Sequence, residues 1–190
     1  MRTTRFHLTS RGFVYLILLT LAISLSCSKQ QERPRNSAPA PVPSGSQILA
    51  GRVIRVADGD TITVLDSSNA QHRIRLQGID APESHQAFGT QSKKNLSDMV
   101  FGKDVTVTYD KTDQYGRLVG KIVLDGRDVN LEQVKAGMAW HYKEYEREQP
   151  LEDRQIYARA EDEARQARRG LWRDPDRVEP SAFRREEKAR

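Results

Sequence analysis

Apolar and polar positions alternate in five short stretches of the chain, and each alternation predicts a strand. Ile48 to Val56 (ILAGRVIRV) is the first. Thr61 to Leu65 follows it across an Asp58-Gly59-Asp60 turn, and His72 to Leu76 follows across Asp66-Ser67-Ser68-Asn69. In that third strand Ile74 and Leu76 share one face while Arg73 and Arg75 share the other. Val105, Val107 and Tyr109 alternate with Thr106 and Thr108 in a fourth, and Leu118 to Leu124 is a fifth, ended by an Asp125-Gly126 turn. The period lengthens to that of a helix over 88–101, where Leu96, Met99 and Val100 form the apolar stripe. A short helix is expected from Asn130, with Gln133 three residues on as in a capping box, and Gly137 at its end. Pro150 opens a last helix whose stripe is Tyr157, Ala160, Ala164, Ala167 and Leu171, with Gly170 suited to the C-terminal cap. Glu161 and Arg165 then form an i,i+4 pair on its solvated side.

The order β-β-β-α-β-β-α-α is mainly β with helices, an α+β class. Five strands with a helix between the third and fourth is the arrangement of a five-stranded OB-fold barrel, whose open face often binds oligonucleotides. Fold alone does not give function.

The N-terminus reads differently. Arg2, Arg5 and Arg11 precede an apolar run from Gly12 to Leu25, with no acid in residues 1–27. This is the plan of a secretory signal peptide, and the run is short of the roughly 20 residues of a spanning helix. The sole cysteine, Cys27, follows Leu25-Ser26 as in a bacterial lipobox, with Ser24 where Leu is usual. Ser-Cys-Ser also fits an ordinary signal-peptidase site, and an uncleaved anchor is the third alternative. Residues 28–46 are Pro-rich and nearly devoid of apolar side chains, a tether for a domain over 47–172. The mixed-charge stretch 173–190 is expected to be a poorly ordered tail, with Phe183 its one docking candidate.

Composition adds two constraints. One cysteine in 190 residues excludes an intramolecular disulfide and a multi-cysteine zinc site. The net charge of +5 is carried by the N-terminus: residues 49–190 hold 25 basic and 25 acidic side chains. Overall basicity therefore lends almost no support to nucleic-acid binding. The case must rest on placed residues.

Four segments supply them: Asp58-Gly59-Asp60-Thr61, Arg73-Ile74-Arg75-Leu76, Asp80-Ala81-Pro82-Glu83 and Asp113-Gln114-Tyr115-Gly116-Arg117. Asp60 and Asp80 lie at the ends of neighbouring strands, and two carboxylates suit a hard cation, calcium rather than zinc. Glu83 lies just past the stiff Pro82, within reach of a water near that ion. Arg75 and Arg117 offer forks for a phosphate. A cation, a base and two arginines are the parts needed for attack on a phosphodiester. His72, His85 and His141 lie on separate elements and read as structural or surface groups, and Trp140 and Trp172 as core.

In this combination the chain resembles the staphylococcal nuclease (thermonuclease) family over about residues 49–172. The resemblance is carried by Asp58-Gly59-Asp60-Thr61, Arg75 with Asp80-Ala81-Pro82-Glu83, Tyr115-Gly116-Arg117, Val129-Asn130, Gly137-Met138-Ala139 and Gly170-Leu171-Trp172. It implies that Asp60, Asp80 and the main-chain carbonyl of Ala81 bind Ca²⁺, that Glu83 is the catalytic glutamate, and that Arg75 and Arg117 are the catalytic arginines. It places base-stacking tyrosines on Tyr115 and Tyr142. Ala81 stands where the best-known member has Thr, a change a carbonyl ligand tolerates. The implied activity is hydrolysis of DNA and RNA to products ending in 3′-phosphate. The N-terminal pattern adds the expectation of export, with a tether to the cell envelope through Cys27 or free secretion, and the protein is expected to be a monomer. Two other classes remain: an inactive OB-type binding module, which should have lost at least one of the five charged residues, and a structural envelope lipoprotein, which explains the N-terminus alone.

Overall fold

A computed structural model describes residues 45–190. The expected leader, Cys27 and all but the last two residues of the expected tether lie outside the described residues. Among the described residues, no helix is long and apolar enough to cross a membrane.

The five expected strands form, as β1 (Gln47–Val56), β2 (Thr61–Asp66), β3 (Gln71–Leu76), β5 (Asp104–Thr112) and β6 (Leu118–Leu124). Two-residue β4 (Ile79–Asp80), β7 (Arg127–Asp128) and β8 (Trp140–His141) add to them. The main sheet runs β3-β2-β1-β5-β6-β7, and a parallel pairing of β3 with β6 closes the five long strands into a mixed barrel with helices. This is the α+β OB-type architecture expected. Closure removes the exposed edges that such strands would otherwise present.

Alternation explains what fills the barrel. Ile62, Val64, Ile74, Leu76, Val107 and Ile122 are fully buried. Each such side chain contributes on the order of 1.5–3 kcal/mol by leaving water. In β1 the buried residues Val53 and Val56 are three apart, because a bulge between Val53 and Arg55 shifts the register against β2. Helix α1 (Gly89–Val100) covers one end with Leu96 and Val100, α2 (Val129–Lys135) adds Val134, and α3 (Leu151–Gln166) adds Tyr157 and Ala160. Trp140 and Trp172 pack edge-on at 5.5 Å in a second cluster with Ala164 and Leu171.

Four local expectations are corrected. The cap of α2 is Asp128, whose side chain accepts from the Leu131 N–H at 3.0 Å. Asn130 is instead fully buried: its Oδ1 accepts from the Ile122 N–H (3.2 Å), and its Nδ2 donates to the carbonyls of Gln77 (3.0 Å) and Gly120 (3.1 Å). Helix α3 stops at Gln166, where Arg168 takes the left-handed position (φ 49°) and the Arg169 N–H closes onto the Ala164 carbonyl. Gly170 serves a close approach, since a Cβ there would sit 2.2 Å from the Gly137 carbonyl oxygen. Glu161 is not on a wet face: it is buried, accepts from the His141 N–H at 3.0 Å, and pairs with Lys143 and Arg165. Finally, the stretch read as a disordered tail ends in helix α4 (Pro180–Lys188). Pro180 is buried and Phe183 packs against the His85 ring at 5.3 Å, as its apolar character suggested. No apolar stripe announced this helix because its main anchors are polar.

Asn130 joins α2 to the middle of β6 and to Gln77, just past β3, by three hydrogen bonds. Asn130→Ala should lower unfolding free energy by about 2–4 kcal/mol, measured by urea denaturation. A loss within about 0.5 kcal/mol would mean those bonds are replaced.

Candidate active site

The register of the barrel assembles the site. β2 pairs with β3 so that Thr61 lies opposite Arg75, which brings the Asp58-Gly59-Asp60 turn beside the Arg75 side chain. The turn is tied down on three sides. The Ala57 N–H donates to the Thr61 carbonyl, the Leu76 N–H to the Asp60 carbonyl, and Gln133 Nε2 to the Gly59 carbonyl, each at 2.8 Å. Glycine is required at 59: a Cβ would lie 1.9 Å from Ser92 Oγ and 2.7 Å from the Ala81 Cβ. On the other side, β4 pairs with β8, Asp80 opposite Trp140, and fixes the Asp80 backbone.

Arg75 is the hub. Its side chain is 12% exposed. Nη1 donates to the carbonyls of Leu76 and Ile79, both at 2.8 Å. Nη2 lies 3.0 Å from Asp80 Oδ1 and 3.2 Å from Asp60 Oδ2. The two aspartates singled out by sequence are thus brought together on one guanidinium. Asp60 Oδ2 also accepts from the Ala81 N–H at 2.8 Å, and Oδ1 from the Thr61 hydroxyl at 3.1 Å. The Ala81 backbone therefore lies against the same carboxylate.

Arg117 reaches the site from the other direction. Its Nε and Nη2 both hold Asp113 Oδ2 at 2.8 Å, while Asp113 Oδ1 accepts the backbone N–H groups of Tyr115 and Arg117. Nη1 lies 3.4 Å from Thr61 Oγ1, linking Arg117 through Thr61 to Asp60. Tyr115 is 63% exposed, with the Arg117 guanidinium 5.4 Å from its ring centre. Tyr142 is tilted against Tyr145 at 4.9 Å, and its hydroxyl lies 3.5 Å from Arg184 Nη2. Burial and the nearby Asp80 charge push its hydroxyl up to about 12.

Glu83 is half-buried. Its carbonyl and N–H are both bound by Gln86, and its Oε1 accepts from Arg184 Nη1 at 2.8 Å. Arg184 belongs to α4 and was not anticipated; its sequence neighbourhood gives no signal, since its partners lie 101 and 104 residues away. It also forks onto Asp80, Nη1 to Oδ1 at 3.1 Å and Nη2 to Oδ2 at 3.0 Å. Asp113 is the other group whose role became clear only in three dimensions, although its spacing of four from Arg117 was visible.

The electrostatics favour a further cation. Four carboxylates (Asp58, Asp60, Asp80 and Glu83) meet two guanidiniums, Arg75 and Arg184. Burial lifts the Asp80 carboxyl from 3.8 to about 6 despite both arginines. Burial, then repulsion from Asp60, lifts Asp58 to about 6 as well. Among the described residues, no three His, Cys, Asp or Glu side chains form a metal cluster. Asp60 and Asp80 offer two carboxylates, so an ion there would complete its shell with backbone oxygen and water, as hard cations do. The donor set fits Ca²⁺. His72 and His85 pair with Asp66 and Glu187, and buried His141 contacts Gln149; none joins the carboxylates.

The family described as staphylococcal nuclease homologue matches residues 73–174, from within β3 to a point before α4. A protein described as an uncharacterized endonuclease from Haemophilus influenzae is 43% identical over 137 residues, covering 72% of this chain and 74% of its own. One of the same description from Escherichia coli O157:H7 is 48% identical over 135 residues, covering 70% and 84%. A micrococcal nuclease from Shigella flexneri is 42% identical over 147 residues, covering 73% and 82%.

The raised Asp58 carboxyl has a consequence for pH. Between its ordinary value and about 6, the folded protein holds a proton that the unfolded chain has released. Asp58 therefore opposes folding increasingly as pH rises through that window. In metal-free protein, Asp58→Asn keeps an acceptor for the Asp60 N–H. It should raise unfolding free energy by roughly 2 kcal/mol at about pH 7.5 and have little effect near pH 3. Urea denaturation at both pH values checks this; an equal difference at both would contradict it.

Proposed function

The chain belongs to the staphylococcal nuclease family, and on that premise we propose that it is a Ca²⁺-dependent nuclease cutting DNA and RNA to products ending in 3′-phosphate. That it is a hydrolase of the nuclease type follows from the family and from relatives named endonuclease and micrococcal nuclease. The observation that carries the finer reading is the Asp60–Arg75–Asp80 cluster: two buried carboxylates joined on one guanidinium, with Glu83 and the Thr61–Arg117 link at its rim.

Asp60, Asp80 and the carbonyl of Ala81 would hold the ion. When bound, Ca²⁺ supplies positive charge to a phosphate oxygen and lowers the cost of bringing a water to phosphorus. This chain's residues do the rest. Arg75 keeps the two aspartates together and counters part of their repulsion. Glu83 orients a water and accepts its proton as oxygen attacks phosphorus. Attack is in line with the 5′-oxygen, so the P–O5′ bond breaks, a 3′-phosphate is left, and the departing 5′-oxygen takes up a proton. Arg117, oriented by Asp113, stabilises the charge that accumulates on the phosphoryl oxygens. Tyr115, beside Arg117, and Tyr142, beside Arg184, offer ring faces to the bases.

The N-terminal sequence supports an exported protein, held to the envelope by lipid on Cys27 or secreted, acting on nucleic acid outside the cytoplasm. The binding-module reading loses ground because Asp60, Arg75, Asp80, Glu83 and Arg117 are all retained.

Single-stranded DNA and RNA should be degraded with Ca²⁺ and spared with excess EGTA; equal rates in both would remove the metal from the mechanism. Glu83→Gln should lower kcat by about 10²–10⁴ with circular dichroism unchanged. A rate near wild type would take the proton-accepting role from Glu83. Mass spectrometry of the mature N-terminus should find diacylglycerol on Cys27, and an unmodified Ser28 or Lys29 start would refute the anchor.

A further inference from the structure

Helix α4 lies outside the stretch matched by the family, which ends at 174. The helix and the residues leading into it dock on the segment that follows Asp80, and Arg184 Nη2 also lies 3.5 Å from the Tyr142 hydroxyl. Gln86 Nε2 donates to the Val178 carbonyl at 2.6 Å, His85 Nε2 lies 2.6 Å from Glu187, and Phe183 packs on the His85 ring. These contacts aim Arg184 at the two acidic groups that matter most. Its fork takes both oxygens of Asp80, and the same Nη1 reaches Glu83 at 2.8 Å. Asp80 Oδ1 is shared with Arg75 as well.

We propose that α4 is an autoinhibitory strap, in which Arg184 competes with the divalent ion for the oxygens of Asp80 and at the same time engages Glu83. The inference rests on the calcium reading of Asp60 and Asp80 given above. Its physical basis is exclusion. A hard cation needs carboxylate oxygens that the Arg184 fork already holds, and the fork puts positive charge where the ion's own charge would go. Glu83 is disabled by the same contact, because the oxygen that would receive a water's proton accepts from a permanently protonated guanidinium. The latch is nevertheless reversible in design. The Arg184 side chain is 34% exposed, and the residues that follow it, 185–190, are exposed. Calcium binding at Asp80 would repel Arg184 and free Glu83 in a single event, coupling metal occupancy to activation.

Calcium titration by calorimetry separates the possibilities. Arg184→Gln should bind Ca²⁺ about tenfold more tightly than wild type. Lys188→Gln, which removes the same charge one turn further along α4, should bind as wild type does. Equal affinity in Arg184→Gln and wild type overturns the strap while leaving the calcium reading intact. Equal tightening by both substitutions also overturns it, since bulk charge would then account for the effect. Absence of binding in all three overturns the calcium reading and the strap together. If Arg184→Gln does not fold, hydrogen exchange of wild-type amides 180–188 decides: faster exchange at saturating Ca²⁺ supports the strap, and unchanged protection overturns it.

Discussion

The structure depends on one guanidinium placed between two buried carboxylates. Asp60 and Asp80 come from different elements and could not share a low-dielectric site without a cation between them. Arg75 supplies it, and is itself held by two main-chain carbonyls, Leu76 and Ile79. Those carbonyls belong to the end of β3 and the start of β4, so the turn that carries Asp80 is folded around the side chain that neutralises it. The same strand closes the barrel, with Arg75 opposite Thr61 on β2 and opposite Val119 on β6. A one-residue slip in either pairing would send Arg75 into the apolar interior and Ile74 to the surface. Barrel closure and site assembly are thus one constraint.

From that hub the chemistry divides between two differently held arginines. Arg75 is enclosed and its contacts are spent on holding acids in place. Arg117 is attached at the rim by Asp113, and touches the centre only through the Thr61 hydroxyl. In the nuclease mechanism proposed above, an arginine of the first kind positions and one of the second kind meets the phosphate. Arg184 is a third kind, an ion-pair partner from outside the family's matched span, whose fork holds Asp80 and Glu83.

The barrel was legible in sequence because alternation is local: Val105, Val107, Ile74 and Leu76 announce both strand and inward face. The cluster was legible because Asp60, Arg75, Asp80, Glu83 and Arg117 sit at strand ends and turns, where a few residue types at fixed spacing carry the resemblance. What failed was what depends on distant partners. Asn130 and Gln133 have the spacing of a capping box, but buried carbonyls of Gln77, Gly120 and Gly59 claim their amides. Glu161 falls on the polar side of its helix pattern, yet the His141 N–H and Lys143 cover it. Helix α4 has no apolar stripe at all; it is held by ion pairs and a ring contact to residues about a hundred positions earlier, which no local pattern encodes.

The central claim, that Asp60 and Asp80 form a calcium site within a nuclease centre, is tested most directly by a crystal structure of the protein grown with Ca²⁺. One ion is expected at about 2.3–2.6 Å from oxygens of both aspartates, with the Arg184 fork withdrawn from Asp80. No ion there, with Arg184 still forked onto Asp80 at millimolar Ca²⁺, would contradict it.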